Sequence, residues 1–278
     1  MTPLRHRMIE DMCLRGLAEA TQKAYVNAIR NLAGHFRRSP DQLTDAELRR
    51  FFISLKRRRS KSTVRVHLFA VKFLYRYTLQ RSSPTLELIR VKRDRKLPAV
   101  LSHSEVRQLL AHIRRPQVRM ATLLMYSCGL RVSQAVHLTI ADVDSRRMVL
   151  CLRHGKGDQQ QYVPLPQRTL ELLRDYWRQH RPAHWLLPDR TGQRPLRREA
   201  VRKAIVAAAQ DAKLTKSIGC HTLRHSYATG LLERGLDLRV IQALLGHHSI
   251  RSTAGYLHLT GGTMQKVHTT LNDLMADL

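Results

Sequence analysis

The chain of 278 residues is long for one hydrophobic core and comfortable for two, and an apolar content of 43% suffices to pack them. Its 49 Lys and Arg against 21 Asp and Glu leave a net charge of +28, which disfavours self-association and draws polyanions; nucleic acid is the expected partner, DNA ahead of RNA and a membrane surface last. Four scattered cysteines without a C-x-x-C pair argue against a zinc site or a secreted disulfide framework, and no run of about 20 apolar residues or apolar leader points to a membrane span or signal peptide, so a cytoplasmic protein with reduced thiols is expected.

Residues 1–88 read as helical. Tyr25, Ile29, Leu32 and Phe36 share one helical face. Thr44 with Glu47 predicts a capping box ahead of apolar Leu48, Phe52 and Leu55. Val64, Leu68, Val71 and Tyr75 form another stripe, entered through Ser62 or Thr63 as N-cap. Between the last two lies the run Lys56, Arg57, Arg58, Arg59, Ser60, Lys61. In a chain this basic it is expected to lie on a DNA backbone, a contact that positions a protein without reading sequence. Residues 89–98, charged and ending in Pro98, break the periodicity and read as a linker.

A second domain is expected over 99–278. Ser102 and Glu105 pattern as a capping box, with Val106, Leu109, Leu110 and Ile113 behind it. Ala121 to Tyr126 is an apolar helical segment ending near Gly129, and Arg131 follows. An Arg at the end of a buried helix is costly to hide. It faces a cleft and an anion, or it closes a structural salt bridge, and the residues alone leave both open. Residues 148–152 have strand composition and pair with 161–164 across the Gly-rich turn His154 to Asp158, a hairpin pattern. The turn lacks the spacing of a P-loop, and Lys156 within it reads by itself as a solvated turn lysine. An amphipathic helix covers 167–180, and Arg190 to Arg198 is a basic turn expected to meet DNA backbone. The helix over 200–212 would bring Arg202, Lys203 and Gln210 to DNA if it lay in the major groove, although a solvent-facing helix would look the same. The fold class is mainly α with a small β-sheet or hairpin, which makes the second domain α+β.

The densest chemistry lies between 220 and 256. His221 and Arg224 are three apart and so share a helix face. Leu223, Tyr227 and Leu231 are that helix's core stripe, and Gly235 marks its end. Asp237 starts the next helix, with Val240, Ile241, Leu244 and Leu245 inward. His247 follows Gly246 past the helix end, and Tyr256 comes nine residues later. A planar guanidinium fork matches two phosphate oxygens. A His moves protons near neutral pH. A Tyr phenol, with an ordinary pKa of about 10, becomes a nucleophile only beside such groups. The set suits phosphoryl transfer with a Tyr nucleophile and no metal ligand in view. His225 and His248 read as structural, and Tyr227 as core.

His221-Thr222-Leu223-Arg224-His225, Leu244-Leu245-Gly246-His247 and Tyr256 resemble box II of the tyrosine recombinase, or phage-integrase, family. Gly129-Leu130-Arg131-Val132-Ser133 resembles its box I, and Gly155-Lys156-Gly157 its β-hairpin lysine. The pieces stand in family order at family-like spacing, and the resemblance covers nearly the whole chain. It implies a helical SAM-like core-binding domain over 1–88 and a catalytic domain over 99–278. It also implies a site-specific DNA recombinase of integrase or transposase type, working without cofactor or metal. Arg131 and Arg224 would clamp the scissile phosphate, and Tyr256 would attack it to give a 3′-phosphotyrosyl link. His221 would assist Tyr256, Lys156 would protonate the leaving 5′-oxygen, and His247 would hydrogen-bond the phosphate. Four protomers on two double-stranded DNA sites in the nucleoid would exchange strands through a Holliday junction. The C-terminal stripe of Val267, Leu271, Leu274 and Leu278 would dock into a neighbouring protomer rather than onto its own domain.

The sequence departs from the family pattern twice. Gln134 stands where an acidic residue is frequent, and Gln159, Gln160 and Gln161 stand where a basic residue often follows the hairpin lysine, which weakens backbone contact there. An Xer-like chromosome or plasmid dimer resolvase, a type IB topoisomerase-like relaxase and a non-catalytic DNA-binding adaptor are the alternatives. The intact set of Arg131, Lys156, His221, Arg224, His247 and Tyr256 speaks against the last.

Overall fold

The computed structural model describes residues 2–92, 99–153, 160–246 and 261–276. The chain divides into two units, Met1–Lys96 and Leu97–Leu278. In the first, α1 (Pro3–Leu14) opens on a proline, whose missing N–H is harmless in a first turn. After α2 (Glu19–Phe36), the capping box at Thr44 forms as the sequence predicts and starts α3 (Asp45–Arg58). Thr44 Oγ1 accepts the Glu47 N–H at 3.3 Å, and Glu47 Oε2 accepts the Thr44 N–H at 2.9 Å. The N-cap of α4 (Lys61–Phe73) is Ser60, not Ser62 or Thr63; its Oγ accepts the Thr63 N–H. Arg59 is extended at φ −128° and ψ 157°, so the chain re-enters helix at Lys61 and both predicted caps already lie inside the first turn. A π-helical turn at Leu74–Thr78 and α5 (Pro84–Leu88) follow. Met8, Met12, Leu32, Leu48, Phe52, Val64, Val71 and Leu74 fill the core, with α2 against α4. Ile89 and Val91, inside the stretch read as linker, pack half-buried on this core.

In the second unit, Ser102 and Glu105 make the predicted capping box at the start of α6 (His103–His112). Helix α7 (Pro116–Ser127) is buried at every position from Met120 to Ser127, as expected for a helix apolar all round. After α8 (Val132–Val136) comes an antiparallel sheet of β1 (Val143–Asp144), β2 (Val149–Arg153) and β3 (Gln160–Pro164), in that order. Leu150 pairs with Val143 on one side and Val163 on the other. Met148 sits at φ +53° in the turn before β2, which is why that strand begins one residue later than its composition suggests. The remaining helices are α9 (Gln167–His180), α10 (Arg198–Asp211), α11 (Cys220–Glu233), α12 (Leu238–Leu244) and α13 (Gly261–Met275). Helices α6, α8, α9, α10, α11 and α13 all pack on α7.

Helix α13 packs in cis, where the resemblance implies docking in a neighbouring protomer. Val267, Leu271, Leu274 and Met275 are buried in this chain's own core, against α7, α9 and α11. Gly230 of α11 makes room, because a Cβ there would lie 3.1 Å from Leu274 Cδ1. Asn272 Oδ1 accepts the Gln167 N–H at 3.0 Å and so caps an amide at the start of α9. In this single chain the stripe is buried in cis, and Leu278 lies outside the described residues. Among the described residues no helix is long and apolar enough to cross a membrane.

Leu271 is fully buried. Leu271→Ala is expected to lower unfolding stability by roughly 2–4 kcal/mol in urea titrations. The melting midpoint of the wild type should also be independent of protein concentration, since docking in trans would make it rise with concentration.

Candidate active site

A helix leaves its last carbonyls without intrahelical partners, and at the end of α12 three side chains from elsewhere in the chain supply them. Gln161 of β3 donates through Nε2 to Leu244 O at 3.1 Å. Arg224 of α11 donates through Nη2 to Leu245 O and through Nη1 to Gly129 O. Arg131 donates through Nη2 to Gly246 O over a long 3.4 Å. The carbonyl end of a helix carries partial negative charge, worth roughly 0.3–1 kcal/mol to a nearby cation, and that offsets part of the repulsion between two guanidinium groups.

Local sequence sets each arginine in place. Helix α7 stops at Cys128, and Gly129 turns the chain at φ +62°. A Cβ at Gly129 would lie 2.6 Å from the Tyr227 ring, so glycine is required for both backbone and space. Arg131 is the extended N-cap residue of α8, and Gln134 Oε1 accepts its N–H at 2.8 Å. A neutral amide thus satisfies the backbone at the position where an acidic residue is frequent in the family pattern. Arg224 lies early in α11, with exposed His221 three residues before it on the same face. Among the described residues the Arg131 side chain meets a carbonyl and no carboxylate.

Arg224 is only 8% exposed. Burial first, and then the Arg131 charge, lower its pKa to about 10, so it stays protonated at neutral pH. Its two carbonyl bonds use two of the five N–H donors of a guanidinium. Two cations held against each other in a partly dry setting favour an anion between them, and a phosphate diester presents the oxygen pair that planar forks match.

The arrangement brings together Arg131, Arg224 and, one turn away, His221. Lys156, His247, His248 and Tyr256 lie outside the described residues. Tyr227 is core as read: it is fully buried beneath Gly129, and burial pushes its hydroxyl far above the phenol range. Burial also raises Tyr176, to about 12, and Tyr126. Such phenols resist ionisation and make poor nucleophiles. Among the described residues no group of three or more His, Cys, Asp or Glu side chains is set to hold a metal ion.

Of the residues expected at DNA, Lys56, Arg57 and Arg58 close α3, Arg59 bridges, and Lys61 opens α4; all are exposed. Arg202 is exposed but held by Glu199, with Nε to Oε2 at 3.0 Å and Nη2 to Oε1 at 2.8 Å. An exposed pair of this kind contributes little and yields readily to a phosphate. Lys203 is exposed beside it. Gln161 is the residue that sequence reasoning missed. It stands in the stretch where a basic DNA contact was sought, and the fold turns its amide to α12 instead. Gly246 after two leucines is a legible helix stop, but nothing local says which strand meets it.

Comparison with known proteins points to the same chemistry. The profile of the Phage integrase family matches residues 99–262, and that of the phage integrase N-terminal SAM-like domain matches residues 4–85. The chain is 39% identical over 263 residues to y4qK of Sinorhizobium fredii, which carries an integrase/recombinase name; the match spans 93% of this chain and 85% of that one. It is 34% identical over 291 residues to the tyrosine recombinase XerD of Pseudomonas aeruginosa, spanning 96% of each. A lambda integrase in a dimer bound to a core site shares its fold, with a TM-score of 0.70 at 18% identity over 88% of this chain and 94% of that one.

Two substitutions test the scaffold. Gly129→Ala combines a positive φ with a clash against Tyr227 and should cost about 2–4 kcal/mol in urea unfolding. Gln134→Ala removes the cap on Arg131 and should cost about 1 kcal/mol, whereas Gln134→Glu, which keeps the acceptor, should leave the unfolding midpoint near that of the wild type.

Proposed function

Because the chain belongs to the phage integrase family and is a tyrosine recombinase, an enzyme of site-specific DNA recombination, we propose that its paired arginines bind the scissile phosphate of double-stranded DNA and that Tyr256 displaces the 5′-oxygen from it. The observation that carries this reading is the pairing of Arg131 with Arg224, far apart in sequence, on the same helix end. Both guanidinium groups stabilise the charge that grows on the non-bridging oxygens, and His247 adds a hydrogen bond there. His221 takes the phenol proton as the Tyr256 oxygen bonds to phosphorus. The bond from phosphorus to the 5′-oxygen breaks, and Lys156 protonates that oxygen. The products are a 3′-phosphotyrosyl ester and a free 5′-hydroxyl. One ester replaces another, so no cofactor is consumed, and the 5′-hydroxyl of a partner strand reverses the step.

Four protomers on two sites would carry the exchange through a Holliday junction. A net charge of +28 and the exposed Lys56, Arg57, Arg58, Arg59, Lys61, Arg202 and Lys203 support a duplex as partner. The four free cysteines fit a cytoplasmic enzyme acting on nucleoid DNA.

Nicked suicide duplexes drawn from the DNA flanking the gene provide the test. The wild type should form a covalent adduct on a cognate duplex, and Tyr256→Phe should form none. Arg131→Ala and Arg224→Ala should each slow adduct formation by about 100-fold or more. An adduct with Tyr256→Phe would remove Tyr256 as nucleophile. A plasmid with two sites should recombine; relaxation without paired sites would mark a topoisomerase instead.

A further inference from the structure

We infer that Gln161 is a positioning residue for the cleavage step proposed above, holding the point at which the chain leaves α12 for the segment that contains His247 and Tyr256. The inference rests on that reading of the site. Its amide donates to Leu244 O at 3.1 Å and lies against Gly246 so closely that a Cβ there would be 2.8 Å from both Nε2 and Oε1. Gly246 itself sits at φ +57°, the left-handed exit from the helix. On its own strand Gln161 pairs with Leu152 of β2. One side chain therefore joins the sheet, whose β2–β3 connection contains Lys156 in sequence, to the helix end from which His247 follows.

The need for such a residue comes from the other two anchors. Helix α12 has seven residues, too few to hold its own end by helix propensity. Two of its three terminal carbonyls are held by cations, and a phosphate bound between Arg131 and Arg224 competes for the same N–H groups. The 3.4 Å bond from Arg131 to Gly246 O is the first to yield. Gln161 carries no charge to pull it to a phosphate as the guanidinium groups are pulled, so its bond to Leu244 O is the one expected to persist when the arginines turn to substrate. A displacement of about 1 Å in the segment beyond Gly246 is enough to cost a large factor in an in-line attack.

Gln161→Ala, Gly246→Ala and the double variant test this in the full-length protein. With saturating nicked duplex, Gln161→Ala should slow single-turnover adduct formation about tenfold or more. Its DNA affinity and melting midpoint should stay near those of the wild type, and amide exchange in residues 240–246 of the free protein should quicken. Gly246→Ala should slow the reaction on its own, through backbone strain at φ +57° and by pressing on the Gln161 amide, and the two losses should combine less than multiplicatively, because removing that amide removes the clash and leaves only the strain. An adduct rate within about twofold of wild type, a loss that merely follows DNA affinity or melting midpoint, or multiplicative losses would overturn the inference. A wild type that forms no adduct on any flanking duplex would instead overturn the cleavage reading. The exchange measurement would then still decide whether Gln161 holds the end of α12.

Discussion

Two guanidinium groups brought side by side repel, and the site is organised around keeping Arg131 and Arg224 together in spite of that. The counterweight is a set of backbone carbonyls: Gly129 O and Leu245 O for Arg224, Gly246 O for Arg131. This choice of partner matters chemically. A carboxylate would hold an arginine more firmly, but its charge would cancel the positive potential a phosphate needs. Carbonyl dipoles at a helix end offset part of the repulsion and leave both charges in place. Burial first, and the Arg131 charge second, weaken the hold of Arg224 on its proton, and an anion between the two arginines would oppose both effects.

That constraint propagates outward through packing. An arginine at 8% exposure needs rigid walls, and α11 supplies them by lying against α7, which is buried from Met120 to Ser127. Gly129 and Tyr227 meet at the junction of the two helices, where the turn leading to Arg131 must pass close over an aromatic ring. On the far side of α11, Gly230 admits Leu274 of α13, so the C-terminal helix braces the helix that bears Arg224. The second unit is thus built on one continuous apolar core, with Arg131, Arg224 and Gln161 converging at the edge where α12 ends.

The first unit follows a different logic. Its helices are set by caps and an apolar core, and its chemistry is on the outside. Lys56, Arg57 and Arg58 fall in the last turn of α3, where cations suit the helix dipole, and Lys61 opens the next helix after a two-residue joint. A basic run that looks like a loop in one dimension is a helix corner in three. Its charges stay exposed.

Much of this was legible in the amino-acid order because it depends on near neighbours. The boxes Thr44 with Glu47 and Ser102 with Glu105, the helix over 167–180, the hairpin strands and the core role of Tyr227 follow from spacing within a turn or two. The residue types of the expected site could be named for the same reason, since motif chemistry is carried by short spacings in a fixed order. The partners of those residues could not. Ser60 displaced Ser62 and Thr63 as cap because Arg59 is extended, Gln161 met Leu244 across the unit, and α13 buried Val267, Leu271 and Leu274 against its own chain. An apolar stripe reads the same whether it docks in cis or in trans, and an amide reads the same whether it meets a phosphate or a carbonyl. Only the tertiary structure chose between them, because the free energy that decides is set by the surfaces and dipoles that folding brings within contact distance.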